Sequence, residues 1–424
     1  MTWELSYRLR NFARTSLVLW ATASLALALC IAPVIRWLDR ETGWSIFGYG
    51  ADGARALLSV LVGSMLTFIV FVLSATLIVV QLANGQSSPR VIAMVLATPR
   101  VKFALAVLTF TYAFSLATIA RIEEPVPDLL VSVAVLLNLT CLVVFFQFVS
   151  QLSIGLRPGS LISLVAERAR SVIDEVYQLA FESRLSEQHV SLKIEDQATM
   201  TVDFSGPSGV VLAFSAPALT RLARTNDATI EMVPQIGDFI ATGSPLFRVV
   251  SKHHNDFAEN LRGCVAIGPE RTIDQDPRFV FRVLVDIASK ALSPAINDPT
   301  TAVLALDQIQ HLLLILGRRH LNEGEVRDSD GKLRVIYGTP DWPDFVILAV
   351  SEVRQFGSAS LQVHRRLRAM LEYLIAELPE QRRPPLREEL ALLANAITRN
   401  FEDAEDRKRA SVPDFQGVGG SEAA

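Results

Sequence analysis

The chain has 424 residues, 50% hydrophobic and 20% charged, with a formal net charge of −4. The length allows more than one domain, and the slightly acidic balance leaves no basic footprint for nucleic acid. Cys30, Cys141 and Cys264 suggest neither a disulfide framework nor a zinc knuckle.

Four stretches without a charged residue, 15–35, 56–82, 103–120 and 129–155, fill the start of the chain. Apolar runs of about 18 residues or more are long enough to cross the hydrocarbon core as helices. The first is not a signal peptide, despite Arg8, Arg10 and Arg14 before it. It is too long, lacks a clear small-residue cleavage site, and is followed by three more. The loops suggest an orientation. Loop 83–102 holds Arg90, Arg100 and Lys102 without an acid, whereas turn 121–128 has Arg121 against Glu123, Glu124 and Asp128. Cationic loops stay in the cytoplasm. The N-terminus, loop 83–102 and everything after 156 are therefore expected inside, and loops 36–55 and 121–128 outside.

The second stretch is over-long, about 40 Å as a helix. Thr67, Ser74, Gln81 and Ser88 recur every seven residues on it, and Gly63 lies near the same face. Such a stripe reads either as the lining of a pore in an oligomer or as a helix-packing face. The stretches contain no ionisable relay for a proton-coupled transporter, which leaves a passive pore open. Asn138 in the fourth stretch is expected to hydrogen-bond a neighbouring helix.

The four stretches make 1–156 a helical transmembrane domain. Residues 157–200 read as a helical connector, 201–251 as a small β module, 252–404 as a helical cytoplasmic domain and 405–424 as a disordered tail. The β module resembles the barrel-sandwich hybrid of biotinyl and lipoyl domains, through Ser205, Gly206, Gly209 and Val210 and through Gly237, Asp238, Phe239, Gly243, Ser244, Pro245 and Leu246. The modified lysine of that family is absent, so no cofactor is carried over.

Residues 278–317 read as helix–loop–helix. Asp286 and Lys290 stand at i,i+4. Asp298 is an N-cap and Pro299 suits the first helical position. Ser293, Asn297, Asp298, Thr300 and Thr301, with Asp274 and Asp276 nearby, offer oxygens that suit a hard cation or small ligand. The alternative is a well-capped turn. Arg365, Arg366 and Arg368 are expected on a solvated helix face. The histidines are scattered, and no HExxH, GxSxG, phosphate loop or CxxC marks an enzyme.

Several pieces together resemble the predicted membrane proteins of domain of unknown function 2254. They are the four stretches, QSSPR at 86–90, DQDPRF at 274–279, ALSPAINDPTTA at 291–302 and the helix start at 357–367. The resemblance implies a bacterial cytoplasmic (inner) membrane location and no established activity. The combined reading is a four-helix membrane domain followed by a cytoplasmic α+β domain with a barrel-sandwich-like module. Its expected function is an oligomeric ion channel or pore gated by the cytoplasmic domain. The alternative is a membrane-anchored sensor or scaffold that binds a ligand or partner. Neither reading involves an enzymatic step or a cofactor, and the expected partners are the lipid bilayer, further copies of the chain, and an ion or small ligand.

Overall fold

The computed structural model describes residues 3–44, 47–86, 99–155, 157–181, 198–251, 257–321 and 324–419. Two compact units are present, an apolar one at Asn11–Leu161 and a polar one made of Met1–Arg10 and Ile162–Ala424.

Helix α1 (Trp3–Thr15) leads to α2 (Leu17–Thr42), α3 (Ala51–Gln86), α4 (Pro99–Ile119) and α5 (Asp128–Gly155), the helices of the apolar unit. Small residues explain the closest packing. Ser24, Ala28 and Ala32 form the buried face of α2, which packs on α4, and short side chains let helix backbones approach. On α3, Leu58, Met65 and Val72 are buried at seven-residue spacing, against α4 and α5. Asn138 Nδ2 on α5 donates to Ser115 Oγ on α4 at 2.9 Å, the interhelical bond that the sequence predicts. At one end of the unit the loop before α3 meets the start of α5. The Asp128 carboxylate accepts from the N–H groups of Phe47, Gly48 and Tyr49. Asp39 Oδ1 accepts from the Leu129 N–H at 2.9 Å, and Arg36 pairs with Glu123 at 2.7 Å.

Among the described residues, five helices are long and apolar enough to cross a membrane, not four: Leu17–Thr42, Ala51–Ile78, Val101–Ile119, Asp128–Gln151 and Pro299–Gly317. The fifth lies in the polar unit. Its composition passes the same length and hydropathy test because a helix packed on several sides is apolar nearly all round.

The polar unit continues from α6 (Pro158–Val176) into β1 (Met200–Asp203), β2 (Gly209–Phe214), α7 (Ala216–Thr225), β3 (Ala228–Met232), β4 (Phe239–Ile240) and β5 (Pro245–Ser251). Then come α8 (Ala258–Arg262) and β6 (Val265–Gly268). The described strands form two sheets, β1-β5-β3-β8-β7 and β4-β2-β6, and no closed barrel. Segment 201–251 does not keep its edges for itself. β2 takes β6 as a partner, and β3 pairs in parallel with β8 (Leu333–Tyr337), which carries β7 (Glu325–Arg327). Strands from outside the segment occupy the hydrogen-bonding edges that closure would need. Phe214, Leu219, Ile230, Phe247 and Val335 fill the core between these elements.

The helical part consists of α9 (Pro277–Ala291), α10 (Pro299–Gly317), α11 (Trp342–Phe356), α12 (Leu361–Glu377), α13 (Arg383–Asn400) and α14 (Ala404–Ala410). α9 packs on α10 and α11, and α12 packs on α10 and α13. Of the arginines expected on a solvated face, Arg365 and Arg366 are instead buried, while partly exposed Arg368 pairs with Glu372 at 2.8 Å. Arg366 Nε bonds Asp307 at 2.7 Å and its Nη2 bonds Gln310 at 2.7 Å, both on α10. Arg365 donates to the carbonyls of Val412 and Gly419. The tail read as disordered is placed as far as Gly419. After α14, buried Asp414 accepts from the N–H groups of Gln416, Gly417 and Gly419 and folds the chain into a strap over α12. Residues 420–424 lie outside the described residues.

Candidate functional site

The stripe on α3 keeps its periodicity and shows one clear orientation. At about 100° per residue, Gly63, Thr67, Ser74 and Gln81 fall on the side of the helix opposite Leu58, Met65 and Val72. All four are exposed. A Cβ added at Gly63 would meet nothing within 4 Å. The Thr67 hydroxyl donates back to the Gly63 carbonyl at 3.2 Å. Among the described residues, this face therefore takes no part in packing. Ser88 lies outside the described residues, as do most of the 86–90 motif and His253 and His254.

The second group of candidates divides between the two ends of α9, which spans 15 residues, or about 22 Å. At its C-terminal end the turn satisfies itself. Asp298 Oδ1 caps the Thr301 N–H at 3.0 Å and Oδ2 accepts the Thr301 hydroxyl at 2.5 Å. Ser293 Oγ donates to the Lys290 carbonyl, and Asn297 takes φ +49°, a left-handed turn position that asparagine tolerates. Thr300 is exposed. Asp286, one turn earlier, is held by Arg282, which also binds Glu352 of α11. Those bonds hold the Glu352 carboxyl below its usual range.

The N-terminal end of α9 is different in kind. Asp274 accepts from the Tyr7 hydroxyl at 3.0 Å and from Arg168 Nη2 at 2.8 Å. One carboxylate thus joins α1 to α6. α1 is further held by the Glu4 N–H on the Gly263 carbonyl and by Arg8 on the Ile267 carbonyl. Gln275 Oε1 accepts from the Phe214 N–H at 3.1 Å and ties the segment to β2. Asp276 is the N-cap of α9. Its Oδ1 accepts from the Phe279 N–H at 3.0 Å. The residue is 5% exposed, and its Oδ2 has no hydrogen-bond partner among the described residues. Burial pushes this carboxyl above its usual range, against the opposing pull of Arg271 and Arg278. Facing it, Gly237 stands at φ +89°, and a Cβ there would lie 2.7 Å from Asp276 Oδ2 and 2.4 Å from Arg271 Nη2. Arg271 Nε is anchored on the Gly237 carbonyl at 2.8 Å. Buried Tyr177 is close enough for Asp276 and Tyr337 to add to the upward push of burial on its phenol.

Sequence reading named Asp274 and Asp276 but missed Tyr7, Arg168, Gly237 and Arg271. The pair Asp276-Pro277 repeats the cap pattern of Asp298-Pro299, so the cap was readable. The long-range partners left no local signal. Among the described residues, no group of three or more His, Cys, Asp or Glu is placed to hold a metal ion.

The family model described as "Predicted membrane protein (DUF2254)" matches residues 14–373, across both units. Similar proteins include the uncharacterized protein Mb1321c of Mycobacterium bovis, 27% identical over 370 residues, with 84% of this chain and 70% of the relative covered. The uncharacterized protein Rv1290c of Mycobacterium tuberculosis matches with the same identity and coverage. No solved structure matches.

Proposed function

The chain belongs to the predicted membrane protein family DUF2254, and on that premise we propose that α2, α3, α4 and α5 are its membrane spans. In this reading copies of the chain assemble in the bacterial cytoplasmic membrane around an ion path, with the polar unit in the cytoplasm as the gate. The carrying observation is the exposed face of Gly63, Thr67, Ser74 and Gln81 on a helix whose opposite face is fully used. Lipid gives hydroxyl and amide groups no partner, so such a face is better matched by water or by another copy. The joined loops 36–55 and 121–128 support an even number of crossings with both ends on one side, and the cationic loop 83–102 supports the cytoplasmic side. α10 is assigned to the core of the polar unit because Asp307 in its middle bonds Arg366 of α12.

Purified full-length protein in a planar bilayer tests this reading. We expect unitary currents, and we expect Ser74→Leu to reduce or abolish them at unchanged expression and assembly. Currents indifferent to Ser74→Leu and Thr67→Leu, or silence across voltage, tension and divalent-ion conditions, sink the pore.

A second reading, a membrane-anchored sensor, draws on the buried, unpartnered Oδ2 of Asp276. Its ligand is a small hydrogen-bond donor or a cation. Calorimetric titration of the full chain with calcium or magnesium, against Asp276→Ala, checks it. Identical isotherms for the two proteins rule out a cation at that carboxylate.

A further inference from the structure

The first helix has two unlike faces, and only one is accounted for. Tyr7 reaches Asp274, and Trp3 stacks on Tyr7 with ring centroids 5.4 Å apart. At about 100° per residue, Leu5, Leu9 and Phe12 fall within about 60° of one another on the opposite side. Their exposures are 48%, 50% and 57%, although all three are large and apolar. Exposed Arg10 lies beyond one margin of the stripe, and Arg8 at the other margin pairs with Glu4 at 2.7 Å. A stripe of this kind on a free water-facing helix is unfavourable, and it marks a contact surface.

Chain continuity says what covers it. α1 ends at Thr15, and Ser16 caps α2 by accepting from the Leu19 N–H at 3.2 Å. One residue therefore separates α1 from a helix long and apolar enough to span a membrane. Trp20, 47% exposed, donates its indole N–H to the Ala13 carbonyl at 3.2 Å. Tryptophans concentrate at the headgroup level, with the ring in the apolar boundary and the N–H bonded. The α1–α2 junction is thus built as an interface crossing. Apolar residues on one face with arginines at its margins are the pattern of a helix lying in the plane of the membrane surface.

We propose that α1 is an interfacial helix whose Leu5, Leu9 and Phe12 insert at the headgroup–acyl boundary of the leaflet that α2 enters, with Arg10 at the phosphates. The same helix is held by Asp274 through Tyr7. A change in the leaflet that lifts or sinks α1 therefore acts on the start of α9. The inference rests on α2 being a span but not on the existence of a pore.

Spin labels on the full chain in bilayer nanodiscs test it. Cys141 and Cys264 are buried, so native Cys30, exposed on α2, takes a label by itself. Replacing Cys30 by Ser leaves Leu9→Cys or Arg10→Cys as the accessible site. Each label is read for collision with oxygen, which partitions into lipid, and with a water-soluble nickel chelate. The Cys30 label should show high oxygen and negligible nickel access. The Leu9 label should favour oxygen over nickel several-fold more than the Arg10 label does. Leu5→Cys repeats the reading should Leu9→Cys fail to fold. A Leu9 label as open to nickel as the Arg10 label, beside a deep Cys30 label, overturns the interfacial helix alone. A water-exposed Cys30 label overturns the span and the inference with it. Spin–spin broadening at Leu9 that disappears on dilution with unlabelled chain shows a second copy on the stripe, and also overturns it.

Discussion

Gly237 and Asp276 face each other so closely that each limits what the other can be. At φ +89°, with Arg271 Nη2 and Asp276 Oδ2 crowding the position a Cβ would take, Gly237→Ala is expected to cost about 1–3 kcal/mol in backbone strain and displacement. Thermal unfolding of the full chain should show the loss. An unchanged midpoint would mean the turn relaxes freely. Asp276 carries a titration of its own. Its carboxyl is raised, chiefly by burial, so between the ordinary carboxylate value and the raised one the folded chain holds the proton more tightly than the unfolded chain. Stability attributable to this group therefore falls as pH rises through that window. Asp276→Asn keeps the acceptor for the Phe279 N–H and removes the titration. The Asn variant should gain on the wild type as pH is raised above the ordinary carboxylate value. A midpoint difference that stays flat with pH would show that Asp276 holds no raised proton. At this scale the sequence was informative about caps and silent about strain. Asp298 before Pro299 announces a helix start by itself, whereas nothing near Gly237 announces Arg271 or Asp276.

Two helices show what periodicity reveals and what it leaves out. On α3 the seven-residue repeat is a local property, so the polar stripe was visible in sequence and its exposure agrees with it. The structure puts Leu58, Met65 and Val72, at the same seven-residue spacing, on the packed side. Leu58→Ala, at a fully buried position, should destabilise the apolar unit by about 2–5 kcal/mol if soluble-protein cavity costs carry over. Thr67→Ala, whose hydroxyl bonds only its own helix, should stay within about 0.5 kcal/mol. Unfolding in mixed micelles compares the two, and equal effects would contradict the assignment of faces. On α12 charge misled. Arg365 and Arg366 look solvated because charged residues usually are. They are covered by α10 and by a strap that returns some fifty residues later. One carboxylate gathers three backbone N–H groups of that strap. Removing the acceptor of three backbone N–H groups with Asp414→Ala should release Gln416, Gly417 and Gly419 to fast amide exchange. Retained protection at those amides would show that the bonds from Arg365 and Gln362 secure the strap.

Across the whole molecule, hydropathy along the chain separates apolar from polar stretches, but it does not show that Met1–Arg10, expected in the membrane domain, belongs with the polar unit. What hydropathy could not supply is pairing over long separations. The parallel register of β3 with β8 joins Ile230 to Val335. The Tyr7 hydroxyl meets Asp274 across 267 positions. Non-local partners of this sort leave no period, and a single sequence contains no second observation from which to infer them. The Asp274 contact also carries the largest functional consequence. Tyr7 and Arg168 come from the two separate sequence segments of the polar unit, and one carboxylate bonds both within that unit. Because the two bonds share an acceptor, Tyr7→Phe and Arg168→Ala should not act independently. Each alone leaves the carboxylate one anchor. Both together, or Asp274→Ala, leave none. Hydrogen exchange at the Glu4 amide, bonded to the Gly263 carbonyl, reads how firmly α1 stays docked. The double variant should exchange about as fast as Asp274→Ala, roughly tenfold or more above the wild type if net losses near 1.5 kcal/mol apply. Exchange rates that simply multiply between the single variants would mean that Asp274 does not couple the two segments.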